Sequence, residues 1–251
     1  MKYNVILIMG ATSMIGQACA RLFAQQRMKL MLVARDQQKL NKLVNELTGE
    51  IDFCVADIGI QDGVKTVINK TMKSFHRIDA VIYNVAIYPW KRIDEINLTE
   101  WNQTLNTNLT GAFLTTQACF SVMKEQRGGN ILFMSSIAGE IIGLPYMSAY
   151  ATTKAAINGF MRTAAIEFAP YNIKVNSISP GKIYDANTMS EDEYKIKVAP
   201  IPLQRFIEPE DIANMAMFLL TDKAKNITGQ NFIIDGGQSV VGENDHVQKI
   251  D

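Results

Sequence analysis

Runs of apolar residues of strand length alternate with segments of helical period along most of the chain. VILIM at 5–9 passes through a small-residue turn into an amphipathic stretch predicted as a helix over 15–26, and KLMLVA at 29–34 leads to a helix opening near Asp36. IDFCVA at 51–56 precedes a helix expected over 62–75. There Val64, Val67, Ile68, Thr71, Met72 and Phe75 fall on one face at steps of three and four. DAVIYNVA at 79–86 precedes one long helical stretch over 99–126, with Thr99 as its N-cap. NILFMSS at 130–136 leads to a helix over 148–169, IKVNSIS at 173–179 runs into Pro180 and Gly181, and NFIIDGG at 231–237 closes the series.

Seven Val/Ile-rich runs that do not alternate with polar residues describe strands buried on both faces, hence a parallel sheet between helices. Right-handed crossovers then give an α/β, Rossmann-like, doubly wound sheet. No linker rich in Pro, Gly or Ser and no short repeat interrupts the pattern, so the 251 residues read as one domain.

Composition removes several classes of function. Twenty-five basic and 25 acidic residues cancel, with no basic block, which argues against nucleic acid or an anionic membrane as partner. Cys19, Cys54 and Cys119 are far apart among apolar neighbours and form no CxxC pair, the pattern of buried thiols in a reducing compartment. The opening MKYNVILIMGA holds too short an apolar run for a leader or a membrane span, and a cytoplasmic location is expected. With only His76 and His246, neither a histidine triad nor a metal cluster is expected.

Doubly wound sheets bind ligands beyond the carboxyl ends of their strands. After the first strand come Gly10, Thr12, Ser13, Met14, Ile15 and Gly16, a turn whose following helix amides can donate to a pyrophosphate. After the second, Ala34 is followed by Arg35, where a carboxylate would serve a ribose diol and a guanidinium a 2′-phosphate, so NADP is expected over NAD. After the fifth come Ser135 and Ser136, and then YATTK, in which Tyr150 and Lys154 share one helical face. Eight tyrosines make such a pair common by chance, and its position after the fifth strand is the stronger signal. An ammonium beside a phenol lowers the phenol's pKa from about 10. Such a tyrosine trades protons with a carbonyl or alcohol oxygen, and a serine hydroxyl steadies the same oxygen.

Taken in order, Gly10 to Gly16, IDAVIYNVA, Asn108 in NTNLTGAF, Ser136, YATTK, IKVNSISPG and the segment 205–237 resemble the short-chain dehydrogenase/reductase family, in its compact Rossmann-fold branch. The resemblance implies an oxidoreductase moving hydride between a nicotinamide and a carbonyl or secondary alcohol, with 3-oxoacyl-carrier-protein reduction as one candidate. It implies a catalytic set of Asn108, Ser136, Tyr150 and Lys154: Tyr150 the acid/base, Lys154 also on the nicotinamide ribose, Ser136 orienting the carbonyl, and Asn108 anchoring a relay water. Asp57 and Ile58 match the adenine contact, Asn84 and Ala86 the strand-four motif, and Pro180, Gly181 and Ile183 the nicotinamide wall. The segment 182–200 resembles the family's mobile substrate lid. The helices over 99–126 and 148–169 match its dimer interface, implying a homodimer or homotetramer. The tail 238–251 is expected to be mobile or to reach a neighbouring subunit.

The chain departs from that pattern at several points. Met14 replaces the middle glycine of the phosphate turn, and Tyr83 and Ala86 replace an asparagine and a glycine of the strand-four motif. Met9 replaces a threonine before the turn, and Asp185 stands where a threonine is common. If position 14 required a positive φ, methionine would cost about 1–2 kcal/mol there and weaken NADP binding about tenfold. These changes keep a second reading open, a non-enzymatic NADP-binding sensor or scaffold; an epimerase is disfavoured because no substrate domain fits in the length. Tyr88, Pro89, Trp90, Leu144, Tyr146 and Met147 are candidate substrate-pocket residues, with ordinary loop packing as the alternative.

Overall fold

The computed structural model describes residues 4–184 and 190–241. Seven parallel strands, β1 (Val5–Met9), β2 (Lys29–Ala34), β3 (Ile51–Val55), β4 (Ala80–Tyr83), β5 (Gly129–Met134), β6 (Ile173–Pro180) and β7 (Asn231–Ile234), lie in the order β3-β2-β1-β4-β5-β6-β7. The order reverses at β1 and β4, and the carboxyl ends of those strands open the crevice where such sheets bind ligands.

Alternation within each strand explains the continuous apolar runs. Ile6 and Ile8 of β1 face a core built with Ala18 and Phe23 of α1 (Met14–Gln25), Leu40 of α2 (Gln37–Glu46) and Ile212 and Leu219 of α8 (Pro209–Leu219). Leu7 and Met9 face the opposite core, which holds Val64 and Val67 of α3 (Gln61–Phe75), Cys119 and Met123 of α5 (Gly111–Gln126), and Ile157 and Met161 of α6 (Ser148–Phe168). The three cysteines are free and buried, and burial pushes the Cys19 and Cys119 thiols up to about 12, leaving both unreactive. Among the described residues no helix is long and apolar enough to cross a membrane, and no cluster of three or more metal-ligating side chains occurs.

The expected helix over 99–126 is divided. It comprises α4 (Leu98–Leu105), a π-helical turn (Asn106–Thr110) and α5. Its N-cap is Asn97, not Thr99. The Asn97 side chain accepts from the Glu100 amide at 2.9 Å, while the Glu100 carboxylate accepts from the Asn97 amide at 3.2 Å. A reciprocal capping box closes two amides at once, which places the threonine inside the first turn.

Within the expected lid, α7 (Glu191–Val198) is capped by Ser190 and Glu193. Val198, Ile201 and Phe206 pack with Tyr184 and Tyr194 into a third, small apolar cluster. Asp185 and the tail beyond residue 241 lie outside the described residues.

Candidate active site

The turn after β1 is organised around the Ser13 hydroxyl. As N-cap of α1 it accepts from the Gly16 amide at 3.2 Å and from Asn84 Nδ2 at 2.7 Å, and it donates to the Gly10 carbonyl at 3.1 Å. Asn84 Nδ2 also donates to the Gly10 carbonyl at 3.1 Å, so the single asparagine left in the strand-four motif ties that motif to the turn. Gly10 has φ +78°, and a Cβ there would stand 2.9 Å from the Asn84 carbonyl oxygen; both conditions demand glycine. Met14 is different. It is the first residue of α1 and is not among the residues of positive φ. The anticipated backbone strain is therefore absent, and with it the reason for a tenfold loss of affinity: glycine's special freedom is unused at a helical position.

Two adjoining cavities lead away from this turn. One, of about 170 Å³, is bordered by Gly10, Thr12, Arg35, Asp57 and Ile58, together with Thr107. The other, of about 210 Å³, is bordered by Met14, Ile15, Ser136, Tyr150, Lys154, Pro180, Gly181 and Ile183. Ser13, Asn84 and Ala86 border both, which makes one groove from the end of β2 to the start of α6. Larger clefts of about 740 and 820 Å³ lie beside α7 and α8 and along β7, but neither touches Tyr150 or Lys154.

The groove suits a dinucleotide by its chemistry. Met14 and Ile15, whose amides open α1, stand at its middle, where a pyrophosphate is favoured. Arg35 is exposed at its far end, and the neighbouring carboxylate of Asp36 is engaged as the N-cap of α2, accepting from the Lys39 amide at 3.0 Å. Asp57 accepts from the Gly59 amide at 2.9 Å, which fixes its carboxylate at the same end.

At the other end Tyr150, Lys154 and Ser136 meet. Ser136 Oγ accepts from the Ala138 amide at 3.1 Å and hydrogen-bonds the Tyr150 hydroxyl. Lys154 Nζ donates to the Met134 carbonyl at 2.5 Å and lies 5.4 Å from the centre of the Tyr150 ring. Burial reverses the expected direction at the phenol. It pushes the Tyr150 hydroxyl above its ordinary value, and the Ser136 hydrogen bond counters only part of this. The same dry wall pulls the Lys154 ammonium down to about 7, so the charge meant to favour the phenolate is itself weakened.

Asn108 borders neither cavity. It sits in the π-helical turn, where its amide donates to the Ile87 carbonyl at 2.9 Å and to Thr153 Oγ1 at 3.1 Å, and its oxygen accepts from the Ile87 amide at 2.8 Å. Thr153 in turn donates to the Tyr150 carbonyl at 2.7 Å. Asn108 thus clamps the loop after β4 to the first turn of α6. Sequence reasoning missed Thr153, which carries no signal inside YATTK; Ser135, set aside there in favour of Ser136, donates its hydroxyl to the Lys154 carbonyl at 3.1 Å. Gly16 borders neither cavity and packs against the turn itself, where a Cβ would run into the Gly10 carbonyl and the Ala11 backbone.

An aromatic wall continues outward from Tyr150. Tyr88 meets Tyr150 edge-on at 5.8 Å, and Trp90 stacks on Tyr146 at 5.7 Å and 25°. Tyr146 has φ +66°, a conformation costing a bulky residue about 1–2 kcal/mol.

Comparison with known proteins agrees with the fold. Residues 10–239 match a family model described as enoyl-(acyl carrier protein) reductase. The chain is 36% identical over 239 residues to a 3-oxoacyl-(acyl-carrier-protein) reductase of Thermotoga maritima, covering 93% of this chain and 97% of that one. It is 33% identical over 249 residues to an NAD-dependent glycerol dehydrogenase of Listeria innocua, covering 94% of each. Among solved structures it is similar to a 3-ketoacyl-(acyl-carrier-protein) reductase of Brucella melitensis complexed with NADH. That likeness has a TM-score of 0.87 and 26% identity, and covers 94% of this chain and 98% of that one.

Proposed function

The chain belongs to the short-chain dehydrogenase/reductase family, and on that premise we propose that it is an NADP(H)-dependent reductase of carbonyl compounds, with 3-oxoacyl thioesters as one candidate substrate. The observation that carries this reading is the convergence of Tyr150, Ser136 and Lys154 on a cavity whose opposite wall is the start of α1.

A bound nicotinamide would supply the hydride to the carbonyl carbon. The protein supplies the proton and the orientation. A phenol held protonated by burial is a proton donor, and Tyr150 gives its proton to the carbonyl oxygen as charge builds there. The carbon gains the hydride and the oxygen the proton, yielding the alcohol. Ser136 steadies the oxygen by turning the hydroxyl that faces Tyr150 onto the incoming carbonyl, while still accepting from the Ala138 amide. Lys154, with an ammonium near pKa 7, exchanges protons at neutral pH and reloads the site. Arg35 pairs with the 2′-phosphate, unopposed by Asp36.

One kinetic series tests the whole reading. Wild type is expected to oxidise NADPH with a panel of ketones and 3-oxoacyl thioesters. Tyr150→Phe should lose about 10²–10⁴-fold in kcat while binding NADPH as before. Arg35→Ala should raise KM for NADPH about 10- to 100-fold and leave NADH nearly unchanged, one charge-assisted pair being worth about 1.5–3 kcal/mol. NADPH bound but never oxidised with any of the panel would favour a binding protein instead.

A further inference from the structure

We propose that the aromatic strip running outward from Tyr150 receives the non-reacting substituent of the substrate, and that it selects carbonyl compounds in which this substituent is a planar ring. The inference rests on the reductase reading above and adds the substrate class.

Four rings form two rungs between two loops. Tyr88 meets Tyr150 at 5.8 Å and 76°, and Trp90 stacks on Tyr146 at 5.7 Å. Residues 88 and 90 follow β4, while residues 146 and 150 enter and begin α6. The backbone sews the loops together: the Lys91 amide donates to the Tyr146 carbonyl at 3.1 Å, and residues Lys91 and Met147 form an isolated parallel bridge. The Lys91 side chain anchors the first loop to α4 through Glu100 at 2.5 Å. The strip is therefore built into the fold and begins at the reacting hydroxyl.

Three of its rings are open to solvent. Tyr88, Trp90 and Tyr146 are 60%, 63% and 45% exposed, although aromatic rings of this size are ordinarily covered. Tyr146 is held in a left-handed conformation that tyrosine rarely adopts, and in it the ring lies on Trp90. Tyr88 borders the same cavity as Tyr150, and Trp90 follows it two residues along the loop. Backbone strain retained at the entry to α6, with large π surfaces left open next to that cavity, fits a platform for a ligand. A flat ring sliding along it stacks and covers apolar area, and its carbonyl is delivered to Tyr150. A methyl or short alkyl group gains little from the same surface.

A matched pair of β-ketoesters reads this directly: ethyl benzoylacetate and ethyl acetoacetate differ by phenyl for methyl. Wild type should prefer the phenyl compound at least tenfold in kcat/KM. Trp90→Ala should erase that preference by raising KM for the phenyl ester, with the methyl ester within twofold, and Trp90→Phe should restore most of it. Equal losses on both esters would overturn the proposal and make the strip a clasp between loops. So would a change in oligomeric mass with the preference unaltered, which would make it a contact between copies of this chain.

A second readout does not depend on turnover. Trp90 and Trp101 are the two tryptophans of the chain, and in Trp101→Phe the remaining indole is Trp90. Titrating ethyl benzoylacetate should quench its fluorescence, and ethyl acetoacetate should not. Quenching without turnover sinks the reductase reading and leaves the strip standing. Turnover without quenching sinks the strip and leaves the reductase.

Discussion

Lys154 is almost wholly withdrawn from solvent, with one carbonyl as its hydrogen-bond partner at 2.5 Å, and so unfolding hands it a proton at neutral pH. Its ammonium titrates near 7 in the folded chain against 10.5 in its ordinary setting. Between those values the unfolded state binds more protons, and stability therefore rises with pH from about 7 to about 10. Lys154→Met removes this dependence. The variant is expected to exceed wild type in urea-unfolding stability at pH 7 by up to a few kcal/mol, at about 1.4 kcal/mol per pKa unit, with the gap shrinking at pH 9.5. A gap that is flat or widens with pH would place the lysine's charge elsewhere. At this scale the sequence was informative: a spacing of four put Tyr150 and Lys154 on one face, and both border the same cavity. What spacing does not carry is desolvation. The sign of the shift at Tyr150 depends on walls contributed by residues far apart in sequence, which is why a phenol expected to be made more acidic by its neighbouring ammonium is instead made less acidic by burial. Met14 makes the same point in reverse, since a glycine missing from a motif matters only where the backbone uses its freedom.

Between α4 and α5 one extra residue per turn decides where Asn108 stands. The π-helical turn is held from the sheet. Tyr83, fully buried in β4, donates its hydroxyl to the Thr107 carbonyl at 2.5 Å, and Gly111 lets it through, since a Cβ there would lie 2.5 Å from the Tyr83 oxygen and 2.7 Å from the Ile58 carbonyl oxygen. Gly111→Ala is expected to destabilise by about 1–3 kcal/mol through overpacking. Combined with Tyr83→Phe, which removes one of the two close contacts, the loss should be less than additive, as a double-mutant cycle in thermal or urea unfolding would show. Full additivity would mean that the two residues do not meet. The hydrophobic period read 99–126 as one helix because a single inserted residue scarcely disturbs an apolar stripe. The capping box at Asn97 and Glu100 was equally open to reading, but Thr99 is an acceptable cap by type and only reciprocal geometry chooses between them.

For the molecule as a whole, the parallel sheet and its two-sided burial were legible because each apolar run was continuous, while the strand order, and with it the place of the crevice, came from the structure. Association was legible only as an implication. The face shared by α5 and α6 leaves Phe113 and Ile166 at 46% and 77% exposure, with Phe113 edge-on to Phe160 at 6.2 Å. We expect light scattering to give two or four times the 28.0 kDa of one chain, and Phe113→Glu to lower that mass; a wild-type monomer would refute the expected interface. The small cluster around α7 differs in kind from the rest. Tyr184, Tyr194, Val198, Ile201 and Phe206 fit against one another and share no member with either core on the sheet. Mutations arising there are judged by a handful of neighbours instead of by the whole scaffold. Over evolutionary time such a patch can be redrafted with little disturbance to the scaffold that holds the groove.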